Sequence, residues 1–253
     1  MTAPAILSLT GAGEKTIDRR SLTIANGTTL RIAGSGNFRL DNAATVTNNG
    51  TFDFQSDAGI RYPAGAVPTF TNAATGTLMK TGGTISTIGV SNAFTFNSSD
   101  TLSPAARTTI NYASNNTFNA GSLFTGAGTN LVTTNSTFSR AMNAMSTNLT
   151  LQSGNFAGTA TLAGTTTWTG GSITGALTIP AGATLNLTGT GVKTVNGGSL
   201  TNSGTTNIVG NGNLLLNAGA TLTTNGTFDF QSDAGIQYTA ARYRPSPMRP
   251  AAR

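Results

Sequence analysis

Asn49-Gly-Thr-Phe-Asp-Phe-Gln-Ser-Asp-Ala-Gly-Ile60 recurs without a single change as Asn225-Gly-Thr-Phe-Asp-Phe-Gln-Ser-Asp-Ala-Gly-Ile236. Within it, Thr51-Phe-Asp-Phe54 alternates polar and apolar side chains, the period-two pattern of a strand with one buried face. Gln55-Ser-Asp-Ala-Gly59 then supplies turn chemistry before the next apolar residue. A strand and a turn repeated verbatim in one chain point to a repeat architecture.

The repeat extends outward from this core. Leu7-Ser-Leu-Thr-Gly-Ala-Gly-Glu-Lys-Thr-Ile17 aligns with Leu185-Asn-Leu-Thr-Gly-Thr-Gly-Val-Lys-Thr-Val195. Leu7 maps to Leu185 and Asn49 to Asn225, so the second copy is shorter by two positions. Segment 7–62 therefore has a diverged duplicate in 185–238. A shorter period runs inside both. Gly182-Ala-Thr, Gly204-Thr-Thr and Gly226-Thr-Phe recur at equal steps, and Gly27-Thr-Thr and Gly50-Thr-Phe are one position further apart. The step, roughly 22 residues, is one coil of a β-helix, three short strands with their turns. Ala93-Phe-Thr-Phe96 and Thr184-Leu-Asn-Leu187 repeat the alternation. The spacing predicts an all-β, right-handed parallel β-helix over residues 1–238, about eleven coils stacked roughly 50 Å long at ~4.8 Å per coil. Leu and Phe are expected in inward ladders, with Thr, Asn and Asp outward. Leu102–Met145, with Ser103-Pro-Ala-Ala-Arg107 and Arg140-Ala-Met-Asn-Ala-Met145, is expected to hold longer loops or irregular coils.

Composition agrees. The chain of 253 residues holds 48 Thr, 25 Asn and 32 Gly but one Glu, Glu14. Branched Thr suits a pleated surface, and Asn and Gly accept positive φ in tight turns. Hydrophobic residues at 37% and charged ones at 9% argue against a solvated disordered chain. The net charge of +6 is concentrated at one end: Arg242, Arg244, Arg249 and Arg253 lie in the last twelve residues. The body carries no basic stripe of the kind phosphate backbones require, so no nucleic-acid partner is expected. Residues 239–253, rich in Pro and Arg, read as a disordered basic tail.

With no Cys and no His, disulfides, thiol nucleophiles, Cys/His zinc sites and histidine triads are excluded. No apolar run approaches the ~20 residues of a membrane-spanning helix. Met1–Thr10 lacks the basic and apolar regions of a signal peptide. Both ends of the repeat region read as cut, and uncapped coils expose strand edges that invite end-to-end self-association.

Thr167-Trp-Thr-Gly-Gly-Ser-Ile-Thr-Gly175, Gly182-Ala-Thr-Leu185, Lys193-Thr-Val195 and Leu200-Thr-Asn-Ser-Gly-Thr205 resemble repeats of very large bacterial secreted and surface proteins. These are the adhesin-like, filamentous-haemagglutinin and autotransporter-passenger kinds. The resemblance covers most of 7–238. It implies a β-helix, a secreted or cell-surface location, and a stalk or adhesive role towards surface glycans or proteins of a host or neighbouring cell. The absence of His, Cys and clustered acids leads to the expectation of no enzymatic activity and no cofactor, the alternative being a carbohydrate-active β-helix of the polysaccharide lyase or hydrolase type.

Three groups of residues are candidates for chemistry. Asp53 and Asp57, repeated as Asp229 and Asp233, could form a carboxylate pair for glycoside hydrolysis or a calcium site, with Arg61 as basic partner. The structural alternative makes Asp53 and Asp229 outward strand residues and Asp57 and Asp233 turn formers; Gln237 replaces Arg61 in the second copy. Thr165-Thr-Thr-Trp-Thr169 and Thr221-Leu-Thr223 have the alternation of an ice-binding Thr array, but the Thr position is expected to drift between coils. Trp168, the one Trp, could contact a sugar ring or pack at a coil corner.

Overall fold

The structure is a computed structural model that describes residues 4–239; the side chains of 140–147 and, of the expected 239–253 tail, residues 240–253 lie outside the described residues. Every regular element described is a β-strand, and every strand pairing is parallel. Strands of mostly four residues turn three corners per coil, so each strand meets its counterpart one coil later. The result is a parallel β-solenoid with three faces.

The first face runs from Ile6–Leu9 through Thr29–Ile32, Thr51–Phe54, Thr77–Lys80 and Thr101–Pro104. The second begins with Lys15–Asp18, Phe38–Asp41 and Ile60–Tyr62. The third begins with Ser21–Ile24, Thr45–Asn48, Thr69–Asn72 and Thr95–Ser98. Each ladder continues to the last coil, Thr221–Thr224, Thr227–Phe230 and Ile236–Tyr238.

Alternation dictates the interior. In strand after strand the second and fourth residues are buried and the first and third face out, as in Thr77–Lys80 and Thr109–Tyr112. Along the lower half a file of aromatic side chains runs through the interior among aliphatic ones. Phe38, Phe52, Phe70, Phe96, Phe118 and Phe138 follow one another up the axis with neighbouring ring centroids 5.2–6.4 Å apart. Above them the interior becomes aliphatic, with Leu177, Ile179, Leu185, Leu187, Val195, Leu200 and Ile208 buried. Buried polar ladders join the corners: Asn48 Nδ2 donates to Asn72 Oδ1 at 2.8 Å, and Asn130 Nδ2 to Asn148 Oδ1 at 3.0 Å. Such side-chain amides link coil to coil and fix register as they do so.

Coil length is not uniform. Thr29 lies beside Thr51 one coil on, close to the step read from the sequence. Ile60 lies beside Ile88, a longer step, because Pro63–Pro68 forms an outward loop whose two prolines cannot join a ladder. Over 102–145, where longer loops or irregular coils are expected, the ladders run on as far as Val132 and an irregularity of register lies at Phe138/Met142. Thr101–Pro104, Thr109–Tyr112, Asn115–Phe118, Leu123–Phe124 and Thr129–Val132 continue the ladders. Beyond them the coils contract: Leu149 pairs with Thr166 and Thr159 with Ala176, both shorter steps than Thr29 to Thr51. There Ser136–Leu151 and Asn155–Trp168 pass through corners without leaving the sheet, with register shifts at Phe138/Met142 and Ser146/Leu149. Corners that need no loop residues shorten the coil.

Contraction has a geometric consequence. With uniform coils of about 22 residues, the step from Thr51 to Thr227 would place the duplicates eight whole coils apart on one face. Instead Thr51–Phe54 lies on the first face and its copy Thr227–Phe230 on the second. The shorter middle coils fit an extra third of a turn between them.

Candidate functional site

The four aspartates do not form one site. The second pair lies eight coils up the axis from the first and one face round. Asp53, 4% exposed, accepts from Thr81 Oγ1 at 2.8 Å and Gln55 Nε2 at 2.9 Å, with Arg31 Nε 3.9 Å away. Those partners cover it and hold it in the wall. Asp57 sits at the next corner, exposed. Its Oδ1 accepts the backbone N–H groups of Thr84 and, at 2.9 Å, Ile85 in the following coil. These two N–H groups hold its carboxyl below the usual Asp range, with the Lys80 ammonium adding to the effect. Asp57 thus clamps one coil to the next.

The basic partner is Lys80 rather than Arg61, and alternation alone would not have singled it out. Lys80 occupies the fourth, inward position of Thr77–Lys80 and is fully buried. Its Nζ donates to Ser56 O at 2.6 Å and Ser86 Oγ at 3.0 Å, and stands 3.5 Å from Asp57 Oδ1. Desolvation pushes its pKa down, and Asp57 only partly opposes this. A signal was present in the sequence: a Lys at a position where neighbouring strands carry Phe54 and Pro104 must find oxygen partners at its end. Arg61 points elsewhere, donating to Glu14 Oε1 at 2.6 Å and Ser91 Oγ at 3.0 Å. Arg39 also reaches Glu14, at 3.4 Å, so one carboxylate ties three successive coils of the second face.

In the second copy Asp229 accepts from Gln231 Nε2 at 2.7 Å, and both Asp229 and Asp233 are exposed in the last coil. Among the described residues no three acidic side chains converge on a point where a metal ion could sit. Trp168 is fully buried, and its Nε1 donates to Gly170 O at 2.8 Å. A ring with neither face exposed packs a corner and cannot stack on a sugar.

The Thr candidates divide between faces. Thr165 and Thr167 point outward on the second face, while Thr166 is buried; Thr221 and Thr223 point outward on the first. The expected drift is not what the register shows: Thr165 stacks with Thr184, Thr205 and Thr227, and Thr223 with Thr201, Thr178 and Thr161. The third face carries Thr columns as well. Thr45, Thr69 and Thr95 are stacked neighbours, as are Thr23, Thr47 and Thr71. Farther up, the same face opens into a trough of about 450 Å³ lined by Thr95, Asn115, Thr117, Asn135, Thr137 and Asn155.

No family model matches the chain, and neither the curated proteins nor the solved structures provide a match. Among the described residues no helix is long and apolar enough to cross a membrane.

Proposed function

We propose that this chain is a structural, adhesive-type stalk segment of a bacterial extracellular or cell-surface protein and performs no catalysis. The observation that carries the reading is continuity. The first-face ladder makes ten successive inter-coil pairings, from Ile6–Leu9 to Thr221–Thr224, over one unbroken hydrophobic core. At ~4.8 Å per step that is a rod of roughly 48 Å, with charged and polar side chains devoted to tying coils together. Such a rod holds a tip away from a surface and offers long faces for weak, multivalent contact with glycans or proteins of another cell.

The reading includes end-to-end association between copies. Ile6 and Leu7 are 49% and 55% exposed on the first described coil, and Phe230 and Tyr238 are 50% and 66% exposed on the last. Among the described residues the strands of these two coils pair along one edge, and a free edge invites a further strand. One solution study tests the proposal. Small-angle scattering should give a rod-like cross-section, and sedimentation velocity should give species that lengthen with concentration. Beads coated with the chain should bind glycan arrays or cell surfaces. A compact scattering particle, or a rod that binds none of these surfaces, overturns the adhesive reading.

A further inference from the structure

On the third face, strands Ser21–Ile24, Thr45–Asn48, Thr69–Asn72 and Thr95–Ser98 are in unbroken register. Their outward residues form two columns along the axis. One is Ser21, Thr45, Thr69 and Thr95; the other is Thr23, Thr47, Thr71 and Asn97. The columns continue through Asn115 and Thr117 to Thr137. Rungs are ~4.8 Å apart along the axis, and the columns about 6.6 Å apart across the strand, two residues at ~3.3 Å. The side chains are therefore points of a rectangular grid.

The grid is stiff. Branched Thr has few χ1 choices, so stacked copies hold hydroxyl and methyl in a common orientation. Behind it Val46, Phe70 and Phe96 are buried, and Asn48, Asn72 and Ser98 bond successively from coil to coil at the strand ends. The grid is also neutral, although the same coils are the most charged of the molecule. Arg31 and Asp53 belong to the first face and Arg39 and Arg61 to the second. The described strands of the third face project no charged side chain outward; the nearest charges, Arg20 and Asp100, stand at its margins. Its upper end runs into the trough, where the buried side chain of Asn116 has an Oδ1 without a hydrogen-bond partner among the described residues.

A neutral, rigid grid of hydroxyls and methyls suits a ligand that is itself periodic. A small solute would touch only a few rungs, whereas a lattice meets all of them, so individually weak contacts add without fresh ordering cost. Each Thr hydroxyl can donate once and accept twice, the capacity a lattice water has towards its neighbours, while the methyls hold adjacent water in cages. Charges would impose their own hydration geometry, and this face excludes them. We propose that the third face binds ice, with the Thr/Ser/Asn columns between Ser21 and Thr137 as the contact surface.

The test compares the full chain with Thr47→Tyr, Thr71→Tyr and, on the first face, Ser103→Tyr, after circular dichroism has shown that each keeps a β spectrum. Thermal hysteresis and partition into growing polycrystalline ice are measured. The wild type and Ser103→Tyr should both shape ice and partition into it; Thr47→Tyr and Thr71→Tyr should lose both properties. A folded wild type with neither property overturns the proposal, as does equal loss in Ser103→Tyr. Binding to crystalline cellulose or chitin without ice activity also overturns it and identifies the lattice as a polysaccharide. None of these outcomes bears on whether the chain is a rod, which scattering decides separately.

Discussion

Asn49–Ile60 and Asn225–Ile236 are the same twelve residues in two places, one face apart, and among the described residues they differ most in what lies above them. Contacts to the coil below are nearly superimposable. Ser56 Oγ donates to Gly34 O at 2.7 Å, and Ser232 Oγ to Gly210 O at 2.9 Å. Gly59 N donates to Asn37 Oδ1 at 2.8 Å, and Gly235 N to Asn213 Oδ1 at 2.9 Å. Among the described residues, contacts to a coil above are made by the first copy. There Thr77–Lys80 pairs with Thr51–Phe54, Asp57 receives Thr84 and Ile85, and Phe52 and Phe54 are fully buried. In the second copy Phe230 is half exposed and Ile236 is 40% exposed. A coil's shape is set from its own sequence and the coil beneath it, while its burial comes from the coil above. That is the nearest-neighbour logic of a solenoid, read within one chain.

The sharpest way to break this comparison is to truncate matched rings. Phe54→Ala should cost about 3–5 kcal/mol, the usual range for a buried ring, and Phe230→Ala less than about 1 kcal/mol. Urea midpoints followed by circular dichroism check this, and equal shifts would refute the nearest-neighbour account. A Cβ comes next. At Gly59 it would collide with the Thr87 carbonyl and the Val90 side chain of the following coil, whereas at Gly235 it meets nothing. Gly59→Ala should therefore destabilise by roughly 1–3 kcal/mol. Gly235→Ala should be neutral or stabilising by about 0.4–1 kcal/mol, through the unfolded chain. The same melting curves compare them.

Smaller effects lie in pH dependence. Asp57 has a lowered folded pKa, so its contribution is present above the unfolded carboxyl value of about 3.9 and is lost as pH falls through the folded one. Asp57→Asn should flatten the acid limb of Tm against pH; an unchanged limb would show that another carboxylate carries it. Lys80 should act at the other end of the scale. Its folded pKa is lowered too, so the native state binds fewer protons there, and stability rises with pH towards the ordinary Lys value of about 10.4. Lys80→Met should lessen that rise, and Lys193, buried and lowered in the same way, carries the remainder; an unchanged slope would show that Lys80 is not responsible.

Much of the fold was legible because its rules are local. Alternation in Thr51-Phe-Asp-Phe54 assigns each side chain to a face, and turn residues recurring at a near-constant step close each coil. The role of Asp57 as a corner residue followed from turn chemistry. The Lys80 partnership did not, since Lys80 and Asp57 are a whole coil apart in sequence and meet only when one coil lies on the next. Trp168 was open between surface and core for the same reason: only its neighbours on adjacent coils, Leu151 and Leu187, determine what covers it.

By itself, then, the sequence determined strand, turn, inward and outward side chains, and approximate coil length, because these depend on residues a few positions apart. Tertiary structure alone decided how coils of unequal length, short at Leu149 to Thr166 and long at Ile60 to Ile88, accumulate into rotation about the axis. That rotation places identical duplicates on different faces. It also brings Ser21, Thr45, Thr69 and Thr95 into one column, although the last step in sequence is longer than the two before it. The physical reason is that register across coils is fixed by backbone ladders and buried Asn pairs. Both tolerate loops of different length at the corners, so constant spacing in space need not be constant spacing in sequence.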